Sequence, residues 1–168
     1  MSIMWICSSV NYQIINIYLK YIPGSEYLNI SIAGVSEILA HLTVGLLFGK
    51  LGPRLTFLLG YTIAGAGGAC LMFQNQFAGN TYLVAGFVLL AKFGASMTYC
   101  TCQISTPWMF PVLLAGTCFG ICNLFGRFAQ ASAPFIVEMK IPIPMTAFTG
   151  MAAIAWLTSL LIKKVKDA

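Results

Sequence analysis

Four ionisable side chains stand deep within apolar stretches of this sequence: Glu37, His41, Lys92 and Arg127. A charge near the middle of a bilayer costs about 2.5–3.5 kcal/mol or more, so such a side chain normally faces protein, a ligand or water. Glu37 and His41 are one helical turn apart and share a face, which lets them pair or line a cavity together. Lys92 reads as a structural buried charge that locks helices or snorkels to an interface. Arg127 lies about ten residues from the nearer end of its apolar segment and therefore reads as a cavity residue.

Other reactive patterns are sparse. Cys118 and Cys122 share a helix face at a four-residue spacing, but a metal site needs further ligands and the lone His41 cannot supply them. Cys7, Cys70, Cys100 and Cys102 also fall in apolar segments, where cysteine packs as a small apolar residue, so neither disulfides nor a metal or cofactor are expected. With one histidine, four acidic residues and no nucleophile constellation, the chain is not expected to be an enzyme.

The elements that must position these residues follow from composition. Of the 168 residues, 59% are hydrophobic and only 8% charged, too few to cover a water-facing globule. The apolar residues come in runs long enough for about 30 Å of hydrocarbon, over 3–21, 28–48, 55–73, 82–102, 112–137 and 143–162. Turn chemistry separates them at 22–25, 49–54, 74–76, 105–107 and 140–142. Short connections force neighbouring segments antiparallel. The expectation is an all-α integral membrane protein, a single six-helix bundle over residues 1–168. Gly60, Ala64 and Gly68, and Gly116 with Gly120, form stripes of small residues that read as packing seams within the bundle.

Lys50, Arg54, Lys163, Lys164 and Lys166 fall on one side of such a bundle, with Lys20 and Lys140 on the other. The excess puts both termini on the cytoplasmic or equivalent matrix side. The formal charge of +5 then anchors the chain to an anionic leaflet, and nucleic acid is not an expected partner. No basic region precedes the first apolar run, so a removed signal peptide is not expected. The mitochondrial inner membrane and the plasma membrane both fit.

The chain resembles the C-terminal six-helix half of a major facilitator superfamily transporter, in the organic cation/organic anion/carnitine group. The resemblance is carried by Tyr27-Leu28-Asn29 with Gly34-Val35-Ser36-Glu37-Ile38-Leu39-Ala40, by Gly49-Lys50-Leu51-Gly52-Pro53-Arg54, by Lys92-Phe93-Gly94-Ala95-Ser96, and by Gly126-Arg127-Phe128 with Ala133-Pro134-Phe135. It implies substrate-cavity positions at Tyr12, Glu37, His41, Tyr99 and Arg127, where Glu37 matches an acidic position, His41 falls where anion-selective members have lysine, and Arg127 matches their substrate-facing arginine. The implied ligand is a small organic anion held by Arg127 and protonated His41 against the aromatic walls of Tyr12 and Tyr99.

Two gate motifs of that family are degenerate. The loop Gly49-Lys50-Leu51-Gly52-Pro53-Arg54 lacks the preceding acidic residue, and Trp108-Met109-Phe110-Pro111-Val112-Leu113-Leu114-Ala115 lacks both charges of the E-L-[FY]-P-x-x-x-R signature. The resemblance places the substrate between two rocking bundles, and the chain begins where the seventh family helix would begin, so a second bundle is not expected within it. The leading functional expectation is an accessory, structural subunit of a larger membrane complex that does not transport alone. The alternative is one half of a split or homodimeric organic-ion transporter, with a separate N-terminal half or a second copy as partner.

Overall fold

A computed structural model describes residues 1–21, 26–73, 81–139 and 143–162, the side chains of residues 26, 28, 29, 81 and 82 excepted. The expected turns at 22–25, 74–76 and 140–142, and the basic residues Lys140, Lys163, Lys164 and Lys166, lie outside the described residues. The described chain is all-helical, without a strand. Its elements are α1 (Ser2–Tyr18) with a 3-10 turn Leu19–Tyr21, α2 (Glu26–Met72), α3 (Thr81–Met109), α4 (Val112–Gln130), α5 (Ala133–Val137) and α6 (Ile143–Leu160).

Four described stretches are long and apolar enough to cross a membrane: Ile30–Met72, Leu83–Met109, Val112–Val137 and Ile143–Leu160. The six expected segments differ from these for two reasons. The 28–48 and 55–73 segments both lie within α2, which breaks at Gly52 inside the expected turn at 49–54, and α1, at 17 residues, is short for a span.

Within α2 the helical path breaks at Gly52, whose φ of 76° and ψ of 173° belong to a region that only glycine occupies without strain. Pro53 follows, its fixed φ and missing N–H suited to the first position of a helix. The element is thus two legs, 26–51 and 53–72. Proline also divides the expected 112–137 segment: Pro134 cannot donate to a carbonyl four residues back, and α4 gives way at Ala131 and Ser132 to the short α5.

Side-chain pairings set the helix directions. Trp5 meets Thr106, Ser8 meets Cys102, Tyr12 meets Tyr99 and Asn16 meets Lys92, so α1 and α3 are antiparallel. Ser2 meets Cys122 and Gln13 meets Gln130, so α1 and α4 are parallel. The first leg of α2 runs parallel to α3, through Glu37 with Lys92 and Phe48 with Trp108. The second leg runs antiparallel to α3, and the chain reverses at Gly52.

That second seam is the closest in the bundle. A Cβ on Gly67 would stand 2.8 Å from the Ala91 Cα, and one on Gly94 2.7 Å from the Ala64 Cα. Gly60 faces Thr98 and Gly68 faces Phe148 of α6, so the stripe expected at Gly60, Ala64 and Gly68 is internal. Gly116 and Gly120 differ: a Cβ on either would meet no atom within 4 Å.

The core is layered along the helix axes. Met1, Met4, Phe57, Met109 and Ile162 pack together at one end, and Tyr18, Leu19, Leu71, Val137 and Met145 at the other. The outward faces are apolar as well, with Val112 93% and Leu113 95% exposed and Ile38, Leu42, Leu46, Leu124, Phe125 and Phe128 also uncovered. Such a surface is stable against acyl chains and not against water.

Candidate functional site

The polar residues of α1 start the site. Val10, Ile14 and Ile15 turn into the core, which leaves Tyr12, Gln13 and Asn16 half-buried on the opposite side. The Tyr12 hydroxyl donates to Glu37 Oε1 at 2.5 Å, tying α1 to the first leg of α2. Lys92 of α3 closes the unit. Its Nζ is 3.3 Å from Glu37 Oε2, donates to Asn16 Oδ1, and lies 4.1 Å from the centre of the Tyr12 ring. One ammonium therefore has a carboxylate, an amide oxygen and an aromatic face as partners, the satisfaction that a buried charge requires.

Beneath this unit Tyr12 stacks on Tyr99, with centroids 4.9 Å apart and planes 15° from parallel. Tyr99 in turn meets the edge of Trp5 at 6.2 Å. Trp5 donates its indole N–H to Thr106 Oγ1 at 2.8 Å and sets its ring against Phe119 of α4 at 5.2 Å. These aromatic contacts hold α1, α3 and α4 in register below the charges.

His41 and Arg127 behave otherwise. His41 is exposed, and its Nδ1 lies 2.7 Å from the Glu37 carbonyl oxygen, not from the carboxylate. Of the two arrangements that their spacing allows, pairing or lining a cavity together, Glu37 and His41 do not take the first, because Tyr12 and Lys92 already occupy both carboxylate oxygens. Arg127 is exposed on α4, with Nη1 3.4 Å from Gln130 Oε1, and Gln130 Nε2 donates to Gln13 Oε1 at 2.8 Å. A polar band thus crosses three elements, from His41 and Glu37 in the first leg of α2 through Tyr12 and Gln13 of α1 to Gln130 and Arg127 in the last turn of α4. Among the described residues the band has one ion pair, Lys92 with Glu37.

The structure brings Tyr12, Glu37, Lys92 and Tyr99 into direct contact and places His41 and Arg127 at the open margins. Gln13, Asn16, Gln130 and Trp5 are additional members. Their signal in sequence is the run Tyr12-Gln13 with Asn16 four residues on, polar residues inside an otherwise apolar segment. The degenerate gate segments meet at one end of the bundle, where Phe48, next to exposed Gly49 and Lys50, sets its ring edge-on to Trp108 at 5.9 Å. Gly52 forms the turn and half-buried Arg54 opens the second leg, while Pro111 caps α4 and Ala115 is half-buried in its first turn.

Fold and site together define a multi-pass helical membrane protein with a polar, cation-bearing face. No family model matches the chain. Its relatives are members of solute carrier family 22, the organic cation, organic anion and carnitine transporter group of the major facilitator superfamily. Member 4 of Mus musculus is 28% identical over 136 residues, covering 81% of this chain and 24% of the relative. Member 15 of Xenopus tropicalis is 26% identical over 98% of this chain and 33% of the relative. Member 16 of Homo sapiens is 26% identical over 94% of this chain and 28% of the relative. The chain therefore spans about a quarter to a third of the length of the curated relatives it matches. All of these are carriers by name and none is an enzyme.

Proposed function

We propose that the chain is one helical bundle of an organic-ion carrier of the solute carrier family 22 type, and that its polar band lines the substrate path against a second bundle. The observation that carries this reading is the exposed Arg127, in the last turn of α4 and inside the apolar stretch Val112–Val137, beside the Gln130–Gln13 hydrogen bond and with no acidic partner among the described residues. An arginine at that depth is costly against lipid and useful against a carboxylate, to which its planar fork can donate twice. His41 adds an exposed imidazole at the opposite margin, and Tyr12 and Tyr99 supply an aromatic wall. The implied cargo is a small organic anion.

Six crossings are counted in this reading: α1, the two legs of α2, α3, α4 continued by α5, and α6. Their alternating directions support that count. The positive-inside rule assigns the end with Lys50 and Arg54 to the cytoplasm or matrix. The test is uptake of radiolabelled benzoate into vesicles containing this chain alone, or this chain with the unmatched portion of the mouse relative. Saturable uptake is expected only with both, and Arg127→Ala abolishes it. Uptake that is unchanged in Arg127→Ala removes the proposal.

A second reading, an accessory subunit filling membrane volume in a larger complex, is favoured by the missing gate charges at Gly49, Trp108 and Ala115. Copurification from the native membrane separates the two readings: many unrelated subunits indicate the scaffold, one complementary bundle the carrier.

A further inference from the structure

We propose that Asn11 and Ser8 form a binding site for a water molecule inside the bundle, between α1, the second leg of α2 and α6. The site is separate from the polar band and does not depend on the carrier reading.

The Asn11 carboxamide carries the proposal. Asn11 is 1% exposed, and neither its Nδ2 nor its Oδ1 has a hydrogen-bond partner among the described residues. Buried amides are nearly always satisfied, and acyl chains offer them nothing. Tyr12, Gln13 and Asn16 look toward the polar band, whereas Asn11 shares the core-facing side of α1 with Ser8, one turn earlier. The Ser96 hydroxyl is also buried and unpartnered, but a hydroxyl is a rotor that can turn to the carbonyl four residues back, as those of Thr101, Ser105 and Thr106 do. A carboxamide needs an acceptor and a donor at once.

Ser8 supplies the anchor. The Cys102 thiol donates to Ser8 Oγ at 3.5 Å, the Ser8 and Tyr61 hydroxyls are 2.7 Å apart, and the Tyr61 hydroxyl donates to the Met4 carbonyl at 3.4 Å. With Ser8 donating to Tyr61, every hydrogen of this chain is used and one lone pair on Ser8 Oγ is left. A water one turn along α1 can donate to that lone pair and to Asn11 Oδ1 while accepting from Asn11 Nδ2, the roughly three bonds of a typical buried water.

The surroundings fit a small neutral ligand. Ser8 and Asn11 lie where two apolar clusters meet, one holding Met4, Cys7 and Tyr61 and the other Val10, Ile14 and Ala64. Ala64 and Ala152, both 1% exposed and each one turn from the contact of Gly68 with Phe148, keep the facing side chains short. A cation fits less well, because the Glu37 carboxylate is engaged by Lys92 and Tyr12 on the other side of α1.

The full chain, isotope-labelled at nitrogen and reconstituted in deuterated phosphatidylcholine vesicles, is examined by magic-angle-spinning NMR with magnetisation passed from water protons to nitrogen. The Asn11 side-chain signal, identified by its loss in Asn11→Leu, is expected to receive that magnetisation, and the backbone amides of Val10 and Ile14 are not. The exposed Lys20 ammonium is the positive control. Ser8→Ala, which removes the anchoring hydroxyl, lowers the transfer at Asn11, and Ser96→Ala leaves it unchanged. Absence of transfer at Asn11 while Lys20 responds overturns the proposal. Transfer that reaches Val10 and Ile14 equally overturns it as well, since that face is then open to bulk solvent. So does transfer that is indifferent to Ser8→Ala. A direct contact of the Asn11 amide protons with Ser8 or Tyr61 in place of water assigns the carboxamide a protein partner and removes the site.

Discussion

Lys92 and Glu37 stand 3.3 Å apart across the interface of α3 and the first leg of α2, and the lysine is the more buried partner, 2% exposed against 29%. The asymmetry has a consequence for mutation. Removing the lysine leaves a carboxylate that still holds the Tyr12 hydroxyl and reaches the outside, whereas removing the carboxylate strands an ammonium inside the bundle.

Glu37→Gln is accordingly expected to destabilise the bundle by about 3 kcal/mol, and Lys92→Met by less. The double variant Glu37→Gln with Lys92→Met recovers most of the loss. Thermal unfolding followed by dye labelling of the buried Cys102 thiol measures all three. Equal losses in the two single variants would show that the ammonium finds other partners.

The seam between the second leg of α2 and α3 depends on absent side chains. Gly94→Val and Gly67→Val must push apart the backbone at Ala64 and Ala91, and each is expected to cost about 1–3 kcal/mol or more as overpacking. Gly65→Ala, on the second leg of α2 but with nothing within 4 Å of the new Cβ, serves as the control and is neutral or slightly stabilising.

Gly52 isolates backbone strain from crowding, because a Cβ there meets no atom within 4 Å. Gly52→Ala is expected to cost about 1–3 kcal/mol from the φ of 76° alone. Gly49→Ala, in helical conformation and equally open, is neutral or slightly stabilising. A matching loss in both variants would mean that the turn tolerates alanine and that the reversal is set elsewhere.

Helix directions give a topological prediction. Met1, the Lys50–Arg54 turn and Ile162 gather at one end of the bundle, while Lys20 and Phe73 lie at the other. Single cysteines at Lys50 and Lys20, introduced into a cysteine-free background, are expected to label from opposite faces of sealed vesicles. Labelling of both from the same face would contradict the alternating helices.

The membrane character and all-helical class were legible from residue order because they are one-dimensional: apolar runs of bilayer length admit no other economical backbone. The cost of a charge at depth is equally local, which is why residue order alone singles out Glu37, His41, Lys92 and Arg127. Helix boundaries were less so. The break between the 28–48 and 55–73 segments falls at Gly52, inside the turn chemistry at 49–54, whereas the split of 112–137 ahead of Pro134 depends on how the chain redirects α5.

Partnership was decided in three dimensions. Spacing offered His41 to Glu37 four residues away, but Tyr12 and Lys92, 25 and 55 positions distant in the chain, hold the carboxylate instead. Periodicity could place each residue on a face of its own helix and could not say which faces meet. That follows from the rotation of each helix about its axis. Here it is set by close approach at Gly67 and Gly94 and by the stacking of Tyr12 on Tyr99, contacts between residues with no local relation in sequence.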